Sequence, residues 1–89
     1  MHEYPIKNNM DARRFEAQVN GHLAKLDYQI HGGVFQIDYV MVPSEIGGRG
    51  IGSALVKAAL EWAKTERLKP NPICGFARAY MDHHPELKD

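Results

Sequence analysis

The amino-acid sequence predicts a single α+β domain with a mixed sheet, spanning residues 1–89. Three observations carry this. Between Phe15 and Val42 apolar residues alternate with polar ones in three runs separated by turn residues, the period of half-buried strands. At the glycine-rich stretch Gly47-Gly48-Arg49-Gly50-Ile51-Gly52 the period changes to that of a helix. Beyond that helix Pro70 and Pro72 force an extended segment. The predicted order is β-β-β-α-β-α: an antiparallel three-strand meander, a long helix, a short parallel fourth strand and a C-terminal short helix.

Residues 1–12 are polar and read as irregular, with a turn at Asn8-Asn9. The first strand places Phe15, Ala17 and Val19 against Glu16 and Gln18 on the other face. Asn20-Gly21 follows, a dipeptide suited to a two-residue hairpin because both residues tolerate positive φ. The second strand sets Ala24, Leu26, Tyr28 and Ile30 opposite Lys25, Asp27 and Gln29, and His31-Gly32-Gly33 turns the chain again. The third strand, Val34 to Val42, has Phe35, Ile37, Tyr39 and Met41 on one side. Gln36, Asp38, Val40 and Val42 are on the other, so its end is apolar on both faces and reads as buried. Pro43 ends the strand, since it has no N–H for the ladder.

From about Gly50 to Arg67 Ile51, Leu55, Ala58, Ala59 and Trp62 share a helical stripe, with Lys57, Glu61 and Lys64 opposite it. Lys64 and Arg67 complement the dipole at the helix C-terminus. Pro72-Ile73-Cys74 opens a short last strand. The helix before it makes a crossover, so this strand runs parallel to the third. Ala77 to His83 forms one or two helical turns, Pro85 stops them, and Glu86 to Asp89 frays.

Composition narrows the function class. Eleven basic residues balance eleven acidic ones, which gives no support for general binding to nucleic acid or to an anionic membrane. The lone cysteine, Cys74, cannot form an intramolecular disulfide and fits a reducing compartment, with cytoplasm as the expectation. The N-terminus has no signal-like apolar stretch, and no run approaches the ~18 apolar residues of a membrane helix. The histidines lack ligand spacing, and adjacent His83 and His84 diverge on a helix, so no metal is expected.

A strand that passes through glycines into a helix leaves several backbone N–H groups without an internal partner and adds the positive end of the helix dipole. Phosphate suits that place. Glycine permits close approach and positive φ, while Arg49 and Ser53 can add side-chain contacts. The same glycines would also serve a plain tight turn. A phosphate loop of the Gly-Lys-Ser/Thr type is excluded by the absence of the lysine. A dinucleotide fingerprint would need glycine at Ser53 and an early βαβ unit.

The loop and its surroundings resemble the GNAT superfamily of acyl-CoA N-acyltransferases. That pattern is Arg/Gln-x-x-Gly-x-Gly/Ala after a strand ending in residues like Val40-Met41-Val42-Pro43. Gly50 and Gly52 match its two small positions, while Gly47 stands where Arg or Gln is usual. The chain is most similar to the very small, single-domain, YjdJ-type branch. That branch shares Pro72-Ile73-Cys74, the segment Phe76 to Tyr80 and His84-Pro85, and the resemblance covers roughly residues 14–87. The resemblance implies a compact GNAT-like fold with acetyl-CoA between the splayed third and fourth strands. It implies pyrophosphate at Gly48, Arg49, Gly50, Ile51, Gly52 and Ser53, and pantetheine paired to the main chain at Met41 and Val42. The implied reaction is acetyl transfer from acetyl-CoA to an amine.

Such a transfer needs an oriented thioester, donors for the developing oxyanion and a proton for the departing thiolate. For the proton, Cys74 and Tyr80 are the candidate catalytic residues. Cys74 can donate it or accept the acyl group, or it is only a small buried hydrophobe. Tyr80 can instead pack on the long helix. Glu45 is a candidate base or a solvated carboxylate, and Arg78 a candidate phosphate contact or an exposed side chain. The sequence has no helical insertion between its first two strands, so the acceptor side is open to a large amine such as a protein or peptide. The competing reading is an acyl-CoA-binding module without catalysis.

Overall fold

A computed structural model describes residues 4–85. The expected fraying of Glu86 to Asp89, and the first three residues of the segment expected to be irregular, lie outside the described residues. One sheet holds strands β1 (Ile6–Asn9), β2 (Arg14–Val19), β3 (His22–His31), β4 (Val34–Met41) and β5 (Lys69–Pro72), in that spatial order. The first four are antiparallel, and β5 joins β4 in parallel after helix α1 (Ile51–Thr65). A second helix, α2 (Gly75–His83), closes the described chain.

The meander, the crossover helix and the parallel last strand agree with the sequence reading. Three local differences have physical causes. Residues 6–9, read as irregular, form β1, which pairs with β2 from Ile6↔Ala17 to Asn9↔Arg14. Its sequence Ile-Lys-Asn-Asn carries one apolar side chain, so tertiary pairing overrides a weak local pattern. The last strand ends at Pro72 instead of starting there, and Cys74 caps α2. A proline is tolerated in β5 because it lies at the sheet edge.

The third difference is a bulge in β4. Tyr28 pairs with Ile37 and Asp27 with Tyr39, so Asp38 has no partner. The extra residue reverses the inward and outward sense beyond it. Phe35 and Ile37 are buried, as expected, but Tyr39 is 52% exposed instead of sharing their face. Val40 packs against the core in its place.

One face of the sheet is covered. Phe15, Ala17, Ala24, Leu26, Phe35 and Ile37 meet Leu55, Val56, Ala59 and Ala63 of α1 in a single core. Trp62 lies edge-on to Phe15 and Phe35, with centroids 6.0 and 5.9 Å away, and Tyr28 lies 4.8 Å from Phe35. Truncating such a buried ring costs about 3–5 kcal/mol, a large part of the ~5–15 kcal/mol that holds a domain folded. The other face is polar: Arg14 pairs with Glu16, and Lys25 lies 3.9 Å from Asp27.

Helix α1 ends in a Schellman motif. The N–H of Leu68 reaches the carbonyl of Ala63 at 2.8 Å, and Arg67 N–H that of Lys64 at 3.1 Å. Arg67 itself adopts φ 59°, and this turn delivers the chain to β5 beside Gly33.

Candidate functional site

β4 and β5 run together only as far as Ile37↔Pro72. There the carbonyl of Ile37 accepts the N–H groups of both Ile73 and Cys74, at 3.0 and 3.1 Å, and β5 turns away into α2. These bonds show that Ile37 directs its polar groups to β5. In an antiparallel ladder alternate residues face the same neighbour. Beyond the bulge, therefore, Tyr39 and Met41 face β3, and Val40 presents its N–H and C=O to the edge that β5 has left.

A cleft of ≈ 380 Å³ occupies this gap. Val40 and Val42 form its strand side, Gly47, Gly48 and Gly50 its loop side, and Ile51, Gly52 and Ser53 the helix side. Phe76 of α2 completes the lining. A Cβ on Gly52 would meet Cζ of Phe76 at 3.0 Å, so glycine is what lets the ring approach the helix.

The loop owes its path to two glycines. Gly48 has φ +73° and Gly50, the N-cap of α1, has φ +75°, with open space where each Cβ would stand. Gly47 has φ −70° and needs no glycine. The first amide of this turn bonded one turn back is that of Ala54, to the carbonyl of Gly50 at 3.0 Å. The amides of Ile51, Gly52 and Ser53 come before it and have no carbonyl within the helix. No side chain among the described residues caps them. They stand at the positive end of a 15-residue helix.

This arrangement fits an extended ligand with an apolar arm and a phosphate. The strand side of the cleft is apolar, the open backbone edge of Val40 can pair with an amide-bearing chain, and the helix amides can take an anion.

The remaining expected site residues are dispersed. Met41 pairs with Lys25 and does not line the cleft, whereas Val42 does. Arg49 is exposed and also lies off the cleft; its carbonyl accepts the Tyr4 hydroxyl at 2.6 Å, which ties the N-terminal segment to the loop. Cys74 is half-buried against the core at the point where the strands part. Tyr80 lines a neighbouring cleft with Ser53 and Phe76, its ring stacked on His84 at 4.2 Å. Glu45 is exposed in the 3-10 turn Ser44–Ile46. Arg78 donates to the carbonyl of Pro72 at 3.2 Å.

Val40 and Phe76 are not among the site residues expected from the sequence. The apolar character of both faces near Val40 is the available signal; Phe76 stands out in the sequence only as the start of the segment shared with the family, with nothing to give it a place in the site. Asp38 reads from the sequence only as a polar-face residue. At the bulge its carboxylate accepts Gln29 Nε2 at 2.7 Å and Gln36 Nε2 at 2.6 Å on the uncovered face. Among the described residues no three His, Cys, Asp or Glu side chains gather as metal ligands, and no helix is long and apolar enough to cross a membrane.

Comparison with known proteins points the same way. The sequence model of the GCN5-related N-acetyl-transferase family matches residues 14–89. The human protein NATD1 is 34% identical over 86 residues, covering 91% of this chain and 76% of that protein. NATD1 of Mus musculus is 30% identical over 83 residues, with 90% and 76% covered. A GCN5-like putative N-acetyltransferase from Staphylococcus aureus, solved in solution by NMR, superposes with a TM-score of 0.76 at 29% identity, covering all of this chain and 88% of that one.

Proposed function

The chain belongs to the GCN5-related N-acetyltransferase family and is an acyltransferase of that type, and we propose that it uses acetyl-CoA to acetylate an amine presented to the open face of its sheet. The observation that carries this reading is the cleft where β4 and β5 separate, apolar along Val40 and Val42 and ending on the amides of the first turn of α1.

Acetyl-CoA supplies the activated acetyl thioester. The chain's own residues bind and orient it. The amides of Ile51, Gly52 and Ser53 hold the pyrophosphate, with glycines at 48 and 50 shaping the approach. Because Gly47 lacks a long side chain, this recognition rests on backbone N–H groups. Val40 and Val42 offer the strand edge to the pantetheine amides, the part that the resemblance alone gives to Met41 and Val42. Phe76 shields the arm from water.

Cys74, the one thiol of the sequence, lies where the strands part and is proposed as the proton donor to the departing thiolate. Tyr80 belongs to the neighbouring cleft and is not given a catalytic part. The acceptor approaches from the uncovered face, where Asp38 offers its carboxylate to an ammonium group; the group loses a proton to solvent, and the neutral amine then attacks the thioester carbonyl as the C–S bond breaks. Two amide hydrogen bonds leave that carboxylate further lone pairs. A face without a covering layer suits a peptide or protein amine.

Release of free thiol from acetyl-CoA across a panel of small amines and lysine-bearing peptides tests the reading. Turnover that favours peptides, with an acceptor KM raised by Asp38→Asn and an acetyl-CoA KM unmoved, supports it. Binding of acetyl-CoA without turnover on any amine would favour a binding module instead.

A further inference from the structure

Tyr4 reaches across the molecule to the glycine-rich loop. Its hydroxyl donates to the carbonyl of Arg49 at 2.6 Å, 45 residues away in the sequence. We infer that this bond makes Tyr4 a positioning residue: by holding the Arg49 carbonyl it aims the N–H of Gly50 into the cleft, beside the amides of α1. The assignment rests on the coenzyme reading of that cleft.

The peptide that joins Arg49 to Gly50 is trans and planar, so its C=O and N–H point in opposite directions. A carbonyl turned toward Tyr4 therefore turns the Gly50 N–H away from Tyr4. Gly48 and Gly50 line the cleft while Arg49 between them does not, which suits a peptide with its carbonyl on the outer side. Among the described residues the Gly50 N–H has no acceptor. It comes just before the amides of Ile51, Gly52 and Ser53 and adds a fourth donor to the same anion site.

The loop itself does little to fix this plane. Gly50 has φ +75° and Gly48 φ +73°, with nothing within 4 Å of where either Cβ would stand. Glycine takes positive and negative φ about equally readily, so the Arg49–Gly50 peptide can turn over at little cost. Among the described residues Gly48 and Arg49 make no other hydrogen bond to another part of the chain. In a loop this free, one bond to a carbonyl selects one orientation of the peptide.

The sequence delivers the hydroxyl on a held ring. Tyr4 precedes Pro5, which favours extended backbone at residue 4. Tyr4 and Ile6 both pack against the core while Pro5 and Lys7 are exposed, so the two-residue period of β1 runs back to Tyr4. The edge strand β1 thus carries Tyr4 to the loop, and the packed ring leaves its hydroxyl little freedom to lose when it bonds Arg49.

Tyr4→Phe in the full chain tests the assignment, because it deletes the hydroxyl and keeps the ring. In the free protein the carbonyl ¹³C resonance of Arg49 and the amide of Gly50 are expected to move, with the Asn20-Gly21 hairpin unmoved. Calorimetric titration is expected to show acetyl-CoA bound about three- to tenfold more weakly, the loss of one hydrogen bond's worth of preorganisation. A role confined to stability would instead lower the melting temperature and leave the affinity of the folded protein as it was. An unmoved Gly50 amide, or an unchanged affinity beside normal binding by the parent chain, would overturn this assignment alone. No binding of acetyl-CoA by the parent chain would overturn the coenzyme reading and this assignment with it.

Discussion

A methyl group on Gly52 would stand 3.0 Å from Cζ of Phe76, 3.2 Å from its Cε2 and 3.5 Å from Cγ2 of Val42. One missing Cβ therefore lets a ring from α2 and the side chain of Val42, the residue after β4, converge on the first turn of α1. Gly52 lies within the helix, where alanine is favoured over glycine by about 1 kcal/mol. Phe76 is half-exposed and can swing outward. Gly52→Ala should therefore leave the melting temperature unchanged or slightly raised while it displaces the ring. Acetyl-CoA affinity should fall several-fold, and Gly52→Val should abolish it. Calorimetry beside thermal melts separates the two effects.

Gly48 and Gly50 answer to a different constraint. Each has positive φ, and nothing lies within 4 Å of where its Cβ would stand. Replacement by alanine costs about 1–2 kcal/mol for the left-handed backbone, with no clash. Gly50→Ala should lower stability by that amount in urea titration and weaken acetyl-CoA by re-aiming the amides. Gly47→Ala, at ordinary φ, should do neither.

The loop, the long helix and the meander are legible in the sequence because each has a strong local signal. Glycines sit where φ is positive, the α1 stripe follows a helical period, and Asn20-Gly21 marks its hairpin. The bulge at Asp38 has none, since its cause is the pairing of Asp27 with Tyr39 and not a residue type. Without it the inward face of β4 is misassigned beyond Ile37, which is why the sequence places Tyr39 inside and leaves Val40 unrecognised at the cleft. Strand β1 escapes the sequence for a related reason: its ladder partner, β2, defines it more than its own four residues do.

Cys74 can be tested by substitution. Its side chain packs against the core, so Cys74→Ser adds a polar group and Cys74→Ala opens a small space, each costing about 1–2 kcal/mol. If the thiol is the proton donor, kcat should drop about 10²-fold in the alanine variant, with acetyl-CoA affinity retained and partial recovery in Cys74→Ser. Unchanged kcat with the preferred acceptor would remove Cys74 from the mechanism.

Two ionisable groups tie stability to pH. The hydrogen bond from Arg14 holds the Glu16 carboxyl below the usual carboxylate range, helped by Asn9 and opposed by partial burial. A lowered folded pKa favours the folded state above the carboxylate range, and that contribution is lost as pH falls through the lowered value. Glu16→Gln should cost up to about 1 kcal/mol near pH 7, and the difference should vanish in acid. Tyr28 is the converse. Burial raises its hydroxyl pKa, against the bond to Asn8 and the charge of Arg13. Its contribution is present below about pH 10 and is lost as pH rises further. Tyr28→Phe loses the 2.7 Å bond to Asn8, at a cost of about 1 kcal/mol at neutral pH. Its deficit should narrow as the solution becomes alkaline.

Acetyl-CoA in the gap between β4 and β5, with its pyrophosphate on the amides of α1, is the arrangement on which the proposed chemistry depends. Amide chemical-shift mapping of the full chain during an acetyl-CoA titration tests it most directly. Saturable shifts are expected at Gly48 to Ser53 and at Val40 and Val42, with the hairpin at Asn20-Gly21 unmoved. Silence at Gly48 to Ser53 under saturating acetyl-CoA, or shifts confined to another surface, would contradict it.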